Sequence, residues 1–372
     1  MSRRFDIAII GAGMAGASLA AEAAPHASIV LLEAEDQPGY HSTGRSAAFW
    51  SETYGGPFVQ PLTTASRALL ATPDPDFSEH SFLTPRGALH IADQDGDAYL
   101  DDLLESFGGT VALQSLDRDA LVARLPMLRA GWHRAVAEPS CADIDVAALH
   151  AAYLRSARRE GAMLIANAAV TGMAREGAGW LLATEAGPVA ADIVVNAGGA
   201  WADPIARLAG ARAIGVRPYR RSMVQLAMTP PADPAMPLVM DAAERFYFKP
   251  EAGGRLWLSP HDEIACEPCD AVPEELDTAI AIDRFERAVD WPIGRVERRW
   301  AGLRSFAPDR LPVYGFDPLV PGFFWCAGQG GFGIQTAPAA AKLAAALLLR
   351  RKPDSAVAEI DPAAYAPGRF TN

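Results

Sequence analysis

Three closely spaced glycines and a later acid are the first residues in this chain whose types and spacing could do chemistry. Gly11, Gly13 and Gly16 stand in Gly-x-Gly-x-x-Gly order around Met14 and Ala15, and Glu33 follows 17 residues after Gly16. Gly11 suits a tight turn, Gly13 lets backbone approach a pyrophosphate, and Gly16 lets a helix pack on a strand. Glu33, beside Ala34, can accept hydrogen bonds from a ribose diol. Gly328, Gly330 and Gly333 repeat the spacing near the other end of the chain. Two arginines have unusual settings: Arg221 in Tyr219-Arg220-Arg221-Ser222, and Arg304 among Trp300, Gly302, Leu303 and Phe306. An unpaired cation among such neighbours is costly, so Arg304 needs a carboxylate, from the protein or from a ligand.

The elements that must position these residues follow from local pattern. Phe5 to Ile10 is an apolar run feeding the glycines, Ala17 to Ala24 reads as helix, and Ser28 to Leu32 as a second strand ending at Glu33. Strand, turn, helix, strand and acid in this order make a nucleotide site; a helix N-terminus adds its dipole and free N–H groups for phosphate. The second glycine set follows the strand Phe323 to Cys326 and precedes a helix with Thr336 as its expected N-cap. No further strand or acid follows, so it is not a second nucleotide site. It instead aims a helix end at an anion, which suits the pyrimidine edge of a reduced flavin. One dinucleotide grip and one anion-facing helix end together imply FAD rather than NAD. Arg220 and Arg221 lie in an expected strand, so only one can face a given side; such pairs are more often a solvated face. In Arg245-Phe246-Tyr247-Phe248-Lys249 the two phenylalanines share one face and Tyr247 takes the other, towards solvent or a wet pocket.

With 372 residues, half of them apolar, the chain can bury sizeable cores, and the expected class is α/β. A Rossmann-like FAD-binding domain (1–82, 148–214 and 305–372) is interleaved with an α+β substrate domain (83–147 and 215–304). The net charge of −12 argues against nucleic acid or an anionic membrane as partner. Four cysteines make no disulfide framework; Cys266-Glu267-Pro268-Cys269 lacks a second pair, the histidines show no ligand spacing, and no metal is expected. His90 could edge a pocket, His41 is at most a loop donor, and His150 reads as structural. The basic start Met1 to Arg4 only superficially resembles a leader, because the apolar run after it becomes the glycine turn. No apolar run approaches the roughly 20 residues that span a bilayer, and cytoplasmic location is the default.

At Gln37 to Ala48, Ala142 to Asp145, Arg220 to Ser222, Trp300 to Phe306 and Gln329 to Thr336 the chain resembles the D-amino-acid-oxidase-type FAD oxidoreductases. Within that superfamily it is most similar to bacterial FAD-dependent D-arginine dehydrogenases. The resemblance runs through nearly the whole chain. It implies non-covalent FAD, hydride transfer from the α-carbon of a D-amino acid, and an imino acid that hydrolyses to a 2-oxo acid and ammonia. Relatives with covalent flavin carry a cysteine near Gly302, and none stands there. Arg221 and Arg304 match the pair that clamps the substrate carboxylate, a task suited to the guanidinium fork. Tyr54 and Tyr247 match two tyrosines over the substrate, one of them on a mobile loop. The resemblance places Ser42, Thr43, Gly44, Arg45, Ser46, Ala47, Ala169, Val170, Ala197, Gly198 and Gly302 at the cofactor, with Arg304 beside them. Gly330, Gly331, Phe332, Gly333, Ile334 and Gln335 belong to the same set. Two positions depart: the acid for a guanidinium side chain falls on Ala88, and a histidine near the substrate head falls on Phe49. Losing such a charge-assisted bond costs roughly 1.5–3 kcal/mol, so neutral or apolar D-amino acids fit a pocket of Phe49, Ala88, Met240 and Gly331 better than D-arginine. The alternatives are a secondary-amine, glycine or 2-hydroxy-acid oxidase of the same fold, or a flavin-binding subunit without catalysis. The carrier that reoxidises the flavin, oxygen or a quinone-like molecule, stays open.

Overall fold

The computed structural model describes residues 4–370, so most of the basic start and the last two residues lie outside it. Strand Arg4–Ile10 is buried along most of its length, as a parallel sheet covered on both faces requires. It pairs in parallel with Ile29–Leu32 on one side and Val189–Asn196 on the other. Met163–Ile165 extends the first side and Phe323–Ala327 the second, both parallel. Helices Met14–Ala23, Val146–Arg159 and Ala337–Leu348 cover one face, packing Ala17, Leu149, Tyr153 and Leu343 on Ile7, Ile9 and Leu31. Gly16 makes the closest approach: a Cβ there would lie 1.9 Å from the Gly11 carbonyl oxygen. The other face buries Trp180, Val194, Phe323 and Trp325 with helix Ala202–Leu208.

Val313–Phe316 adds an antiparallel strand beside Phe323–Ala327, and a hairpin of Val170–Glu176 and Gly179–Thr184 completes this sheet. Sequence pattern does not announce it, because Val170–Glu176 is half-buried or exposed throughout and lacks a clean apolar alternation.

The second sheet is built on Arg217–Met228, antiparallel to Ile293–Phe306 and to Arg255–Ser259. Tyr247–Glu251 forms a hairpin with Arg255–Ser259 and continues the sheet, followed by Leu238–Asp241 and Ala88–Ala92. Period-two alternation splits its faces. Leu226, Phe246, Phe248 and Leu258 meet Phe285 of helix Glu275–Ala288 in one core. Arg221, Met223, Tyr247 and Gly302 face the crevice at the end of the first sheet. The architecture is the expected one, a Rossmann-like half with an interleaved α+β half. Among the described residues no helix is long and apolar enough to cross a membrane, and no group of acids, cysteines and histidines could hold a metal.

Candidate functional site

The C-terminal ends of the parallel strands open into a cavity of about 450 Å3. Gly11 closes the first strand at φ +97°, and a Cβ there would meet the Ala197 carbonyl oxygen at 2.5 Å. Glu33 lines the cavity, and its carboxylate also accepts the Ala12 N–H (3.0 Å) and the Glu35 N–H (3.2 Å), bracing the turn. Thr43 Oγ1 accepts the Met14 N–H (2.9 Å), so one donor of the helix N-terminus is already taken by the protein. His150 Nε2 donates to the Ala12 carbonyl (2.8 Å), and burial holds that imidazole below its usual pKa. Its role is structural, as expected.

The loop expected at the cofactor is stitched to the second sheet. Ser42 Oγ donates to the Leu303 carbonyl (2.8 Å) and Trp300 Nε1 to the Arg45 carbonyl (3.0 Å). The Arg45 side chain lines the cavity, yet its guanidinium bonds to the carbonyls of Tyr40, Ala271 and Ala301 and to Asp270. Gly13, Met14, Ala15, Ala34, Ser46, Ala47, Ala169, Val170, Ala197, Gly198, Gly302, Gly330, Gly331, Gly333 and Ile334 all line the same cavity. Gly16 packs the helix and Gly44 sits back in the loop, its N–H on the Gly39 carbonyl (2.8 Å).

Three residues of the second glycine segment do something other than expected. Gln335 is buried away from the cavity; it donates to the Tyr54 carbonyl and Thr63 Oγ1 and accepts the Ser51 N–H, clasping residues 51–54. Phe332 turns into a second, outer cavity against Tyr54 and Phe306. Thr336 occupies the N-cap position, but its hydroxyl donates back to the Phe332 carbonyl. The helix receives its cap from a distant element instead, Ser66 Oγ accepting the Ala339 N–H (3.1 Å).

At the end of the cavity away from Glu33 the two arginines meet two tyrosines. Arg221 is buried, with its Nε donating to the Asp262 carbonyl (2.6 Å). Arg220 takes the opposite face of the strand and pairs with Glu274 and Asp277. Arg304 Nη2 donates to the Tyr54 hydroxyl (2.6 Å) and Nη1 to Glu263 (2.7 Å). Tyr247 Oη approaches Met223 Sδ at 3.2 Å, and Phe49 lies 5.2 Å from the Tyr54 ring and 6.1 Å from the Tyr247 ring. Burial and the Arg304 cation hold Arg221 below the usual guanidinium range, and burial pushes the Tyr247 phenol up. Two clustered cations in an apolar cage favour an anion.

Met240 and His90 line the outer cavity rather than this one, and Ala88 lines neither, packing behind Phe49 with Leu238 and Met240. The sequence reading missed Glu263, which touches both arginines, His261, whose ring stacks edge-on against Tyr247 at 5.5 Å, and Glu138. Glu138 is buried and accepts from Ser51 Oγ, the Glu52 N–H and Thr53 Oγ1. None stands in a motif; the only signal for Glu263 is the acidic run Asp262-Glu263 after a hairpin.

The cavity has the carboxylates of Glu33 and Glu35 at one end, glycine backbone at its waist and a cationic, aromatic far end, which fits FAD. None of the four cysteines lines it. Residues 6–347 match the model of the family described as FAD dependent oxidoreductase. The chain belongs to that family and is an FAD-dependent oxidoreductase. It is similar to the glycine oxidase of Geobacillus kaustophilus, 27% identical over 371 residues and covering 95% of each chain. It is also 29% identical over 264 residues to the glycine oxidase of Pseudomonas aeruginosa, covering 69% of this chain and 68% of that one. Among solved structures, L-proline dehydrogenase from P. horikoshii superposes with a TM-score of 0.85 at 22% identity, covering 100% of this chain and 99% of that one. The G. kaustophilus glycine oxidase structure gives 0.82 at 24% identity, covering 97% and 99%. The superfamily expectation therefore stands, while the narrower likeness to D-arginine dehydrogenases gives way to glycine oxidases.

Proposed function

We propose that the chain oxidises the α-carbon of small amino acids with a free carboxylate, glycine and N-alkylglycines first. The observation that carries this reading is the meeting of Arg221, Arg304, Tyr54 and Tyr247 at one end of the cavity, and the glycine oxidases among its relatives support it. FAD, when bound, supplies the two-electron acceptor. The backbone around Gly11, Gly13 and Ala15 would hold its pyrophosphate, with Met14, whose N–H is taken by Thr43, lining the approach, and Glu33, with Ala34, Ala169 and Val170, would hold its adenosine. Ser42 to Ala47, Ala197, Gly198, Gly302 and Gly330 to Ile334 would surround the remainder.

Arg304 and Arg221 bind the substrate carboxylate, and Tyr54 and Tyr247 orient it. The rings of Phe49, Tyr54 and Tyr247 wall this end of the cavity with apolar surface, which disfavours water beside the substrate. An ammonium close to the Arg221 and Arg304 cations is disfavoured, which favours entry of the neutral amine that the oxidation requires, and no dedicated base is assigned. The product imine hydrolyses to a 2-oxo acid and releases the amine or ammonia. A wider range of neutral D-amino acids is a second reading, favoured by Met223, which lines the cavity beside Tyr247, since methionines repack easily. D-arginine is disfavoured in both, because Phe49, which lines the cavity, offers its side chain no carboxylate.

The test is anaerobic mixing of holoenzyme with glycine, sarcosine, D-alanine, D-methionine, D-arginine and lactate, following the visible absorbance of the oxidised flavin. Glycine, sarcosine or D-alanine should bleach it. Bleaching by lactate alone, or a kcat/KM for D-arginine above those of the small substrates, would sink the proposal.

A further inference from the structure

Glu263 stands where three guanidinium groups converge. Its Oε1 accepts from Arg304 Nη1 (2.7 Å) and Arg310 Nη2 (2.8 Å) and lies 3.6 Å from Arg221 Nη2, while Oε2 is 3.0 Å from Arg310 Nη2. The segment carrying it is anchored on both sides. The Asp262 carbonyl takes Arg221 Nε, Asp262 Oδ1 takes the Ser222 N–H (2.9 Å), and the Pro260 carbonyl takes Arg284 Nη1 (2.6 Å). Arg310 adopts φ +65°, a region uncommon for a residue with a side chain, and lays its guanidinium 3.8 Å from the Phe306 ring centre.

Position gives this cluster its meaning. Glu263 lines the outer cavity of about 420 Å3, and Tyr54 and Arg304 line both cavities, forming the wall between them. Arg304 thus faces both cavities, and Glu263 stands beside it on the side of the second. Three cations (Arg221, Arg304, Arg310) against two carboxylates (Asp262, Glu263) leave one positive charge, enough for one incoming carboxylate.

We propose that Glu263 determines specificity: it is an internal carboxylate that competes with the substrate carboxylate for Arg304 and Arg221 and repels a second carboxylate on the substrate. This rests on the carboxylate-binding role proposed above for the two arginines. Replacing Glu263 by glutamine removes the competitor and its charge. Carboxylate affinity should then rise about 5- to 30-fold, a range discounted for the partial exposure of the side chain.

The experiment titrates FAD-loaded wild type, E263Q, E263S and R304M with acetate and with malonate at constant ionic strength, reading the shift of the flavin visible spectrum. Both Glu263 variants should bind acetate more tightly than wild type and gain still more for malonate. Unchanged or weaker acetate binding in E263Q and E263S would overturn the inference. So would loss of FAD by both, because the carboxylate would then be structural. R304M binding acetate as well as wild type would instead overturn the carboxylate-binding reading itself.

Discussion

Gly331 and Arg304 show how closely the site is fitted at the level of single residues. A Cβ at Gly331 would lie 2.0 Å from Arg304 Nη2 and 2.4 Å from Nε. The obstacle is the end of a flexible side chain, so Gly331→Ala should fold and retain FAD, but it must push the guanidinium aside. We expect kcat/KM for the substrate that bleaches the flavin to fall by at least about tenfold, since a displaced charge-assisted bond is worth roughly 1.5–3 kcal/mol; an unchanged kcat/KM would refute it. The neighbouring arginine pair illustrates what local pattern leaves open. Strand alternation requires Arg220 and Arg221 to diverge. Which one meets the cavity is decided by helix Glu275–Ala288 and its N-cap, which set Asp277 and Glu274 against Arg220.

Among the elements, the segment 51–54 has the most unusual support. It has almost no regular structure, yet Glu138 grips it from below and Gln335 from the side, which places Tyr54 on Arg304. Burial raises the Glu138 pKa, but His90 and the hydroxyls of Thr53 and Ser51 outweigh it, and the carboxyl ends below its ordinary value. A carboxylate whose folded pKa is depressed contributes stability that is fully present above the unfolded value of ~4.3 and is lost as pH falls through the folded value. Glu138→Gln should therefore flatten the acid limb of a Tm-against-pH curve below about pH 4.5, and an unaltered limb would refute the assignment. Glu138→Ala, which strands buried donors, should cost about 2–4 kcal/mol in denaturant unfolding at neutral pH.

For the whole molecule, the cavity lies between two sheets whose strands are drawn from both ends of the chain. Glu33 and Gly11 come from the ends of first-sheet strands, Arg221 and Tyr247 from the second sheet, and the loop Ser42 to Ala47 is bonded to helix Met14–Ala23 on one side and to the second sheet on the other. A ligand filling this seam binds the folded state and not the unfolded chain. Adding FAD to apoprotein should raise Tm with concentration, by the equivalent of about 4 kcal/mol at a thousandfold excess over Kd. A Tm indifferent to FAD would contradict a cofactor placed across the seam.

Much of the fold and the cofactor end of the site was legible from sequence, and the reason is range. The turn at Gly11, the packing at Gly16, the acid at Glu33 and the faces of Phe246, Tyr247 and Phe248 depend on backbone conformation and periodicity within a few residues. Sequence alone therefore determined the nucleotide-binding unit and a set of candidate residues with the chemistry for an α-amino carboxylate. The functions of Gln335, Glu138, Ser66 and Glu263 depend on partners far along the chain, as do Met240 in the outer cavity and Ala88 in neither. Only tertiary structure decided these, because a buried hydrogen bond or ion pair is specified by which surfaces meet, and residue type and spacing carry no record of that meeting.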